Sequence, residues 1–240
     1  KFGRGEDLDE FRPSGALEIR KAGQEFDKMR KRIIRHLNQR SEMLSGISHD
    51  LRTPLTRIKL QLAMIKDKNL SKKLSSDVDD MEKMLNEYLQ FASTGAKDKT
   101  ETFDISELIL KLINNYSNPN IIQNFKEEIY FNGRKNLIAR CINNLIENSL
   151  KYAKKVEIKM DKQKENLKII VSDDGPGVPE KEHENIIKPF YKIDKSRSES
   201  KSSVGLGLSI ASDICRSHGG DIKFSKSKFG GLEVSISLPF

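Results

Sequence analysis

Between Leu37 and Ile65 an apolar stripe runs through Leu37, Leu44, Ile47, Leu51, Leu55, Ile58, Leu62 and Ile65, in which, after one heptad step, every spacing is three or four. Such spacing is the seam of a coiled coil or helical bundle. The stretch KDKNLSK, residues 66–72, interrupts it with turn chemistry in which Asn69 or Ser71 is an expected N-cap. A second stripe follows at Leu70, Leu74, Val78, Met81, Leu85, Tyr88 or Leu89, and Ala92. Two helices of similar length joined by a short turn make an antiparallel hairpin. One hairpin alone leaves much apolar surface wet, so a homodimer that closes a four-helix bundle is expected.

Beyond this seam the pattern changes. Residues 1–15, with Gly3, Gly5, Pro13 and Gly15, read as a connector, and helix is expected from Ala16 onward. STGAKDKTE, residues 93–101, reads as a linker. Helical runs near 104–116 and 136–153 then alternate with strand-like stretches: Val156, Ile158 and Met160; Leu167, Ile169 and Val171; Ile222 and Phe224; Leu232, Val234, Ile236 and Leu238. The polar DKQKEN between the first two suits a hairpin loop. Helices with a largely antiparallel sheet predict an α/β sandwich of two layers, making the whole chain α+β. Its strand order is not readable from the pattern.

At 36% hydrophobic and 32% charged, the 240 residues suit one or two domains folded in water. No run approaches the roughly 18 apolar residues of a membrane span, and no signal-peptide pattern opens the chain, which begins at Lys1 and reads as a piece of something longer. The net charge of +8 is spread among acidic residues without basic-aromatic stacking motifs, which argues for a solvated surface and against nucleic acid as a partner. Basic residues at Lys21, Lys28, Arg30, Lys31, Arg32 and Arg35 would suit a place near anionic lipid, but read rather as one exposed helical face. Cys141 and Cys215 lack metal or disulfide spacing and fit a reducing cytosol.

Four constellations carry chemistry. In SHDLRTPL, residues 48–55, His49 is rotated about 200° from both Ile47 and Leu51 and so projects away from the seam. Thr53 lies on the same face one turn along, and Asp50 is adjacent but rotated by about 100°. Pro54 removes the helical partner of the Asp50 carbonyl, loosening the helix beside the ring at a cost of about 3 kcal/mol in isolation. His36, His183 and His218 lack such neighbours and read as surface or structural residues. In CINNLIENSLKYA, residues 141–153, Asn144, Asn148, Lys151 and Tyr152 form one polar stripe opposite Ile142, Leu145 and Ile146. In VSDDGPGVP, residues 171–179, Asp173 ends a strand before a tight turn through Gly175, Pro176 and Gly177. In SSVGLGLSIASDICRSHGG, residues 202–220, Gly205 and Gly207 open an apolar helix whose bared N–H groups and dipole favour a phosphate.

In this order and spacing the motifs resemble those of sensor histidine kinases of two-component systems. SHDLRTPL is similar to their H box, NNLIENSLKY to the N box, DDGPGV to G1, KPFYK (188–192) to the F box and GLGL to G2; HDLRTPLTRI is especially close to the EnvZ-like osmosensing branch. GALEIRKAGQEFDKM resembles the second half of a HAMP relay module. The resemblance implies a partial HAMP or signalling helix over 1–35, a dimerisation and histidine-phosphotransfer hairpin over 36–97, and an ATP-binding domain of GHKL or Bergerat type over 98–240. This sequence departs from the family pattern at Ser203 in G2, Ser149 in the N box and Ile187 in the F box.

The resemblance also implies roles. Asp173 would accept from the adenine amino group, being acceptor-only where that group donates. Asn148 would coordinate Mg²⁺, while Asn144, Lys151 and Tyr152 flank phosphates and purine, and Gly175 and Gly177 shape the turn beside the base. Val204, Gly205, Leu206, Gly207 and Leu208 would present the phosphate loop. Lys192 and Arg197, in the serine-rich stretch 191–204, would neutralise charge from a mobile lid. Neutral imidazole dominates near pH 7 at an ordinary histidine pKa of about 6.5, so His49 would attack the γ-phosphoryl of ATP. Asp50 would orient the ring or take its proton, and Thr53 would position water in a phosphatase mode. Pro54 would let the helix present the ring differently to ATP and to an OmpR-like response regulator. Localisation on the cytoplasmic side of a bacterial inner membrane would follow from segments outside this chain, the fragment itself being soluble. A GHKL ATPase of the gyrase, Hsp90 or MutL kind shares three of the motifs but gives no reason for an exposed histidine on a dimeric hairpin. A P-loop or Ser/Thr kinase lacks its signatures here. A coiled-coil scaffold would show no Mg²⁺-dependent ATP affinity.

Overall fold

The computed structural model describes residues 16–65, 67–92, 99–116, 118–193 and 204–240. The connector expected over 1–15, most of the linker expected over 93–101, and the side chains of Leu37 and Ala92 lie outside the described residues. The described residues divide into two compact units, 16–92 and 99–240. No described helix is long and apolar enough to cross a membrane.

The first unit is a helical hairpin of α1 (Leu17–Ala63) and α2 (Lys68–Ala92). The helices are not of similar length, at 47 and 25 residues, so α2 has a partner only along the carboxy-terminal part of α1. Helix α1 runs through Pro54 without interruption. The cap of α2 is neither Asn69 nor Ser71: Asp67 Oδ1 accepts from the N–H groups of Asn69 (2.9 Å) and Leu70 (3.1 Å), the arrangement whose loss costs about 1 kcal/mol. Ser71 instead donates its hydroxyl to the Leu62 carbonyl at 2.7 Å, stitching the second helix to the end of the first. Further along, Lys59 pairs with Asp79 (2.7 Å) and Glu82 (2.5 Å), and Arg52 donates to Asn86 at 3.4 Å. As the α1 number falls the α2 number rises, which fixes the antiparallel register. Leu55, Leu62 and Val78 form the buried seam with Leu85 against them.

The second unit contains β1 (Glu101–Asp104), α3 (Ile105–Asn115), β2 (Ile121–Asn124), β3 (Tyr130–Gly133), α4 (Lys135–Tyr152), β4 (Val156–Lys162), β5 (Asn166–Asp173), α5 (Gly207–Ser217), β6 (Asp221–Lys226) and β7 (Leu232–Pro239). The main sheet runs β2-β4-β5-β7-β6, antiparallel except for the β2–β4 pair, and β1 with β3 makes a separate antiparallel ribbon. The three four-residue strands were not legible in the sequence, being too short to show a period of two. Glu101, expected in the linker, opens β1. Asp104 caps α3, accepting from Ser106 N–H at 2.8 Å.

Alternation along β7 buries Leu232, Val234, Ile236 and Leu238; along β5 it buries Leu167, Ile169, Val171 and, in the same phase, Asp173. Helix α4 buries Ile138, Cys141, Ile142, Leu145 and Ile146 against this layer, and Ser149 continues that stripe. Cys141 and Cys215, distant in sequence, are brought to an Sγ–Sγ separation of 3.8 Å between α4 and α5 without a bond. Contact with Cys215 and burial push the Cys141 thiol well up, leaving it unreactive.

Candidate functional site

Helix α4, the carboxy end of β5 and the amino end of α5 bring most of the expected residues of the second unit together. Asp173, the last residue of β5, is only 4% exposed. Its Oδ1 accepts from the N–H of Gly175 (2.9 Å) and of Leu232 (3.0 Å), and its Oδ2 from the Ser149 hydroxyl (3.1 Å). Neither Ser149 nor Leu232 was anticipated in this role. The only sequence signal was a polar residue in phase with the apolar stripe of α4.

Two further features fix the turn after β5. Asp174 Oδ1 accepts from Lys154 and Lys155 N–H at 2.8 Å each, and those amides, Lys155 foremost, hold its carboxyl below the usual range. Gly231 crosses so closely that a Cβ there would stand 2.2 Å from Asp173 Oδ1 and 2.5 Å from Gly175 N. Only glycine permits that approach.

Asn144 sits on α4 about 7.5 Å along the axis from Ser149, with Asn148 between them and half-buried. The Asn144 Nδ2 is buried and has no hydrogen-bond partner among the described residues. Its Oδ1 lies 3.6 Å from the position a Cβ on Gly207 would take, so the α4 amide faces the first residue of α5. The first N–H groups of a helix have no intrahelical partner. Gly205 makes this approach, with φ at +80° and a virtual Cβ 2.9 Å from the Tyr191 carbonyl, a conformation open to glycine. Phe190 N–H donates to the Gly205 carbonyl at 3.0 Å, which ties KPFYK to the entry of α5, and the Tyr191 hydroxyl donates to Glu182 at 2.5 Å, which ties it to the turn at Glu180–Glu182. Val204 and Leu206 are buried apolar residues, so what they can offer a ligand is backbone, while Leu208 and Lys192 are half-buried. Lys151 Nζ lies 5.0 Å over the Tyr152 ring, and Gly177, at φ +71°, completes the turn.

The donor set fits a nucleotide: an acceptor carboxylate at one end, an unpartnered amide N–H beside a helix N-terminus at the other. Among the described residues no three His, Cys, Asp or Glu are grouped to hold a metal, so a cation here would draw much of its shell from phosphate and water. His49, Asp50 and Thr53 belong to α1 of the first unit. Asp50 and Thr53 are exposed; the side chain of His49 lies outside the described residues, as do Arg197 and Ser203.

Two family models match the chain: "His Kinase A (phospho-acceptor) domain" over residues 39–97 and "Histidine kinase-, DNA gyrase B-, and HSP90-like ATPase" over 133–240. Sensor histidine kinase GtrS of Pseudomonas aeruginosa is 35% identical over 229 residues, spanning 94% of this chain and 47% of that protein. Sensor histidine kinase CpxA of Escherichia coli K12 is 30% identical over 240 residues, spanning 94% and 52%. The chain thus spans about half the length of these curated relatives. Among solved structures, full-length ShkA in complex with AMPPNP superposes with a TM-score of 0.66 at 21% identity, over 83% of this chain and 46% of that one. Acinetobacter baumannii histidine kinase AdeS gives 0.57 at 19%, over 80% and 97%. At such identity these two speak for the fold.

Proposed function

The chain belongs to the sensor histidine kinases of two-component systems, and from that membership we propose that it is the part of such a kinase that autophosphorylates on His49 with ATP. A His49 ring nitrogen attacks the γ-phosphorus; the P–N bond forms as the bond to the β-phosphate oxygen breaks, ADP leaves, and Asp50 orients the ring or takes its proton. The phosphoramidate then passes its phosphoryl group to an aspartate of an OmpR-like response regulator. In the reverse mode Thr53 positions water against the phosphorylated regulator.

The supporting observation is the Asn144 amide, buried and without a partner among the described residues beside the glycine that opens α5. An orphan donor at a helix N-terminus is a place for phosphate. Asp173 receives the adenine amino group, Lys151 and Tyr152 flank the nucleotide, and the backbone of Gly205 to Leu208 faces the phosphates. Asn148 would hold Mg²⁺ through its side-chain oxygen, and the ion would supply neutralisation of phosphate charge. Lys192 and Arg197 add positive charge from the lid. The hairpin over 36–97 dimerises with a second copy, residues 1–35 serve as a partial HAMP or signalling helix, and segments outside this chain tether the protein to the cytoplasmic side of a bacterial inner membrane.

The test is labelling with ATP carrying a radioactive γ-phosphate. The native chain is expected to acquire acid-labile, alkali-stable label, and His49→Gln and Asn148→Ala to acquire none. Full labelling of His49→Gln, or a native chain that ignores ATP, ends this reading. Recovery of label in mixed dimers of the two variants would mean transfer between subunits.

A further inference from the structure

Two polar side chains occupy positions where their elements otherwise bury hydrocarbon. Ser149 extends the stripe of Ile138, Ile142 and Leu145 on α4, and Asp173 extends the inward row of Leu167, Ile169 and Val171 on β5. They are 2% and 4% exposed and meet through the Ser149 hydroxyl, which donates to Asp173 Oδ2 at 3.1 Å. Packing alone does not ask for a hydroxyl there, since alanine would fill a helix–sheet contact without a polar group to satisfy.

The hydrogen-bond inventory shows what the pair offers a ligand. A carboxylate has about four acceptor positions. Oδ1 fills two with the Gly175 and Leu232 N–H groups, and Oδ2 fills one with Ser149, leaving one position without a donor among the described residues. The serine has a single O–H, and Asp173 takes it. Toward a base the pair therefore presents acceptors only. An exocyclic amino group satisfies it, whereas an oxo group at the same place sets lone pair against lone pair.

We propose that Ser149 is a positioning residue for base selectivity: by spending its one donor on Asp173 it fixes the free acceptor of Oδ2 and keeps the site closed to 6-oxopurine nucleotides. This rests on the nucleotide reading above. Alanine at 149 leaves Oδ2 to a water, and a water has two O–H groups. One donates to Asp173, and the second is free to donate to an oxo group, so discrimination falls.

The experiment is calorimetric titration of the full chain with ATP and with ITP, which carries an oxo group where ATP has the amino group. Ser149→Ala is expected to lower the ATP-to-ITP affinity ratio about tenfold, chiefly through tighter ITP. Ser149→Thr, which keeps the hydroxyl, is expected to preserve the ratio, and the alanine variant decides alone if threonine does not fold. A ratio unchanged in Ser149→Ala, or both affinities falling together, overturns the proposal and leaves ATP binding standing. A native chain that binds neither nucleotide removes the nucleotide reading and this proposal with it.

Discussion

In the α/β unit Ile105, Ile109, Ile138, Ile142, Ile158 and Ile169 have no exposed surface, whereas in the hairpin Leu55 and Leu62 retain 8% and 7% and the neighbouring seam positions Ile58 and Met81 retain 40% and 55%. The α/β unit closes its core with its own sheet and helices. Two helices meet along one line and have nothing to place on the far side of it. The same sequence device, an apolar stripe at helical spacing, thus yields a finished core in α4, which has a sheet to lie on, and half a core in α1 and α2.

Substitutions can break this contrast, and the largest effect is expected at Ile58. If a second copy covers the exposed half of the seam, Ile58→Asp buries an unpaired charge in the dimer and raises its dissociation constant about a hundredfold or more, with ATP affinity unchanged. Sedimentation of the full chain reads this out; a dimer that persists at the same concentration would show that the exposed stripe is not an interface.

Gly231→Ala probes the other unit. With no room for a Cβ beside Asp173, strain of about 1–3 kcal/mol is expected in the α/β unit. Nucleotide affinity should fall by more than about tenfold while the oligomeric state stays as it was. Equal ATP affinity in the variant would mean that Asp173 does not govern binding.

The smallest effect is one of pH. His218 Nε2 accepts from Arg134 N–H at 3.2 Å, so its Nδ1–H donates to the Ile214 carbonyl at 2.8 Å, and burial holds its pKa below the ordinary histidine value of 6.5. Because the folded value is the lower one, the unfolded chain binds the extra proton first. Stability is therefore full above about pH 6.5 and declines as the pH drops toward the folded value, by at most about 1.4 kcal/mol per unit. Urea midpoints of the α/β unit's transition in the full chain at about pH 7.5 and 5.5 measure the decline. His218→Gln should remove that share of it, and an identical slope in the variant would assign the decline elsewhere.

Residue order alone was enough for whatever repeats locally. The stripes of α1, α2 and α4 and the alternation of β4, β5 and β7 follow from periods of 3.6 and 2, and the order of the motifs announces the family. Packing was needed to bring together partners far apart along the chain: the parallel pairing of β2 with β4, the contact of Cys141 with Cys215, and the meeting of Ser149 and Leu232 around the Asp173 carboxylate. Even the cap of α2 fell to Asp67, because the helix starts at Lys68 and so holds Asn69 and Ser71 inside it. A backbone period constrains which face a residue takes, but a hydrogen bond also needs its partner's position, and that is fixed only when separate elements pack.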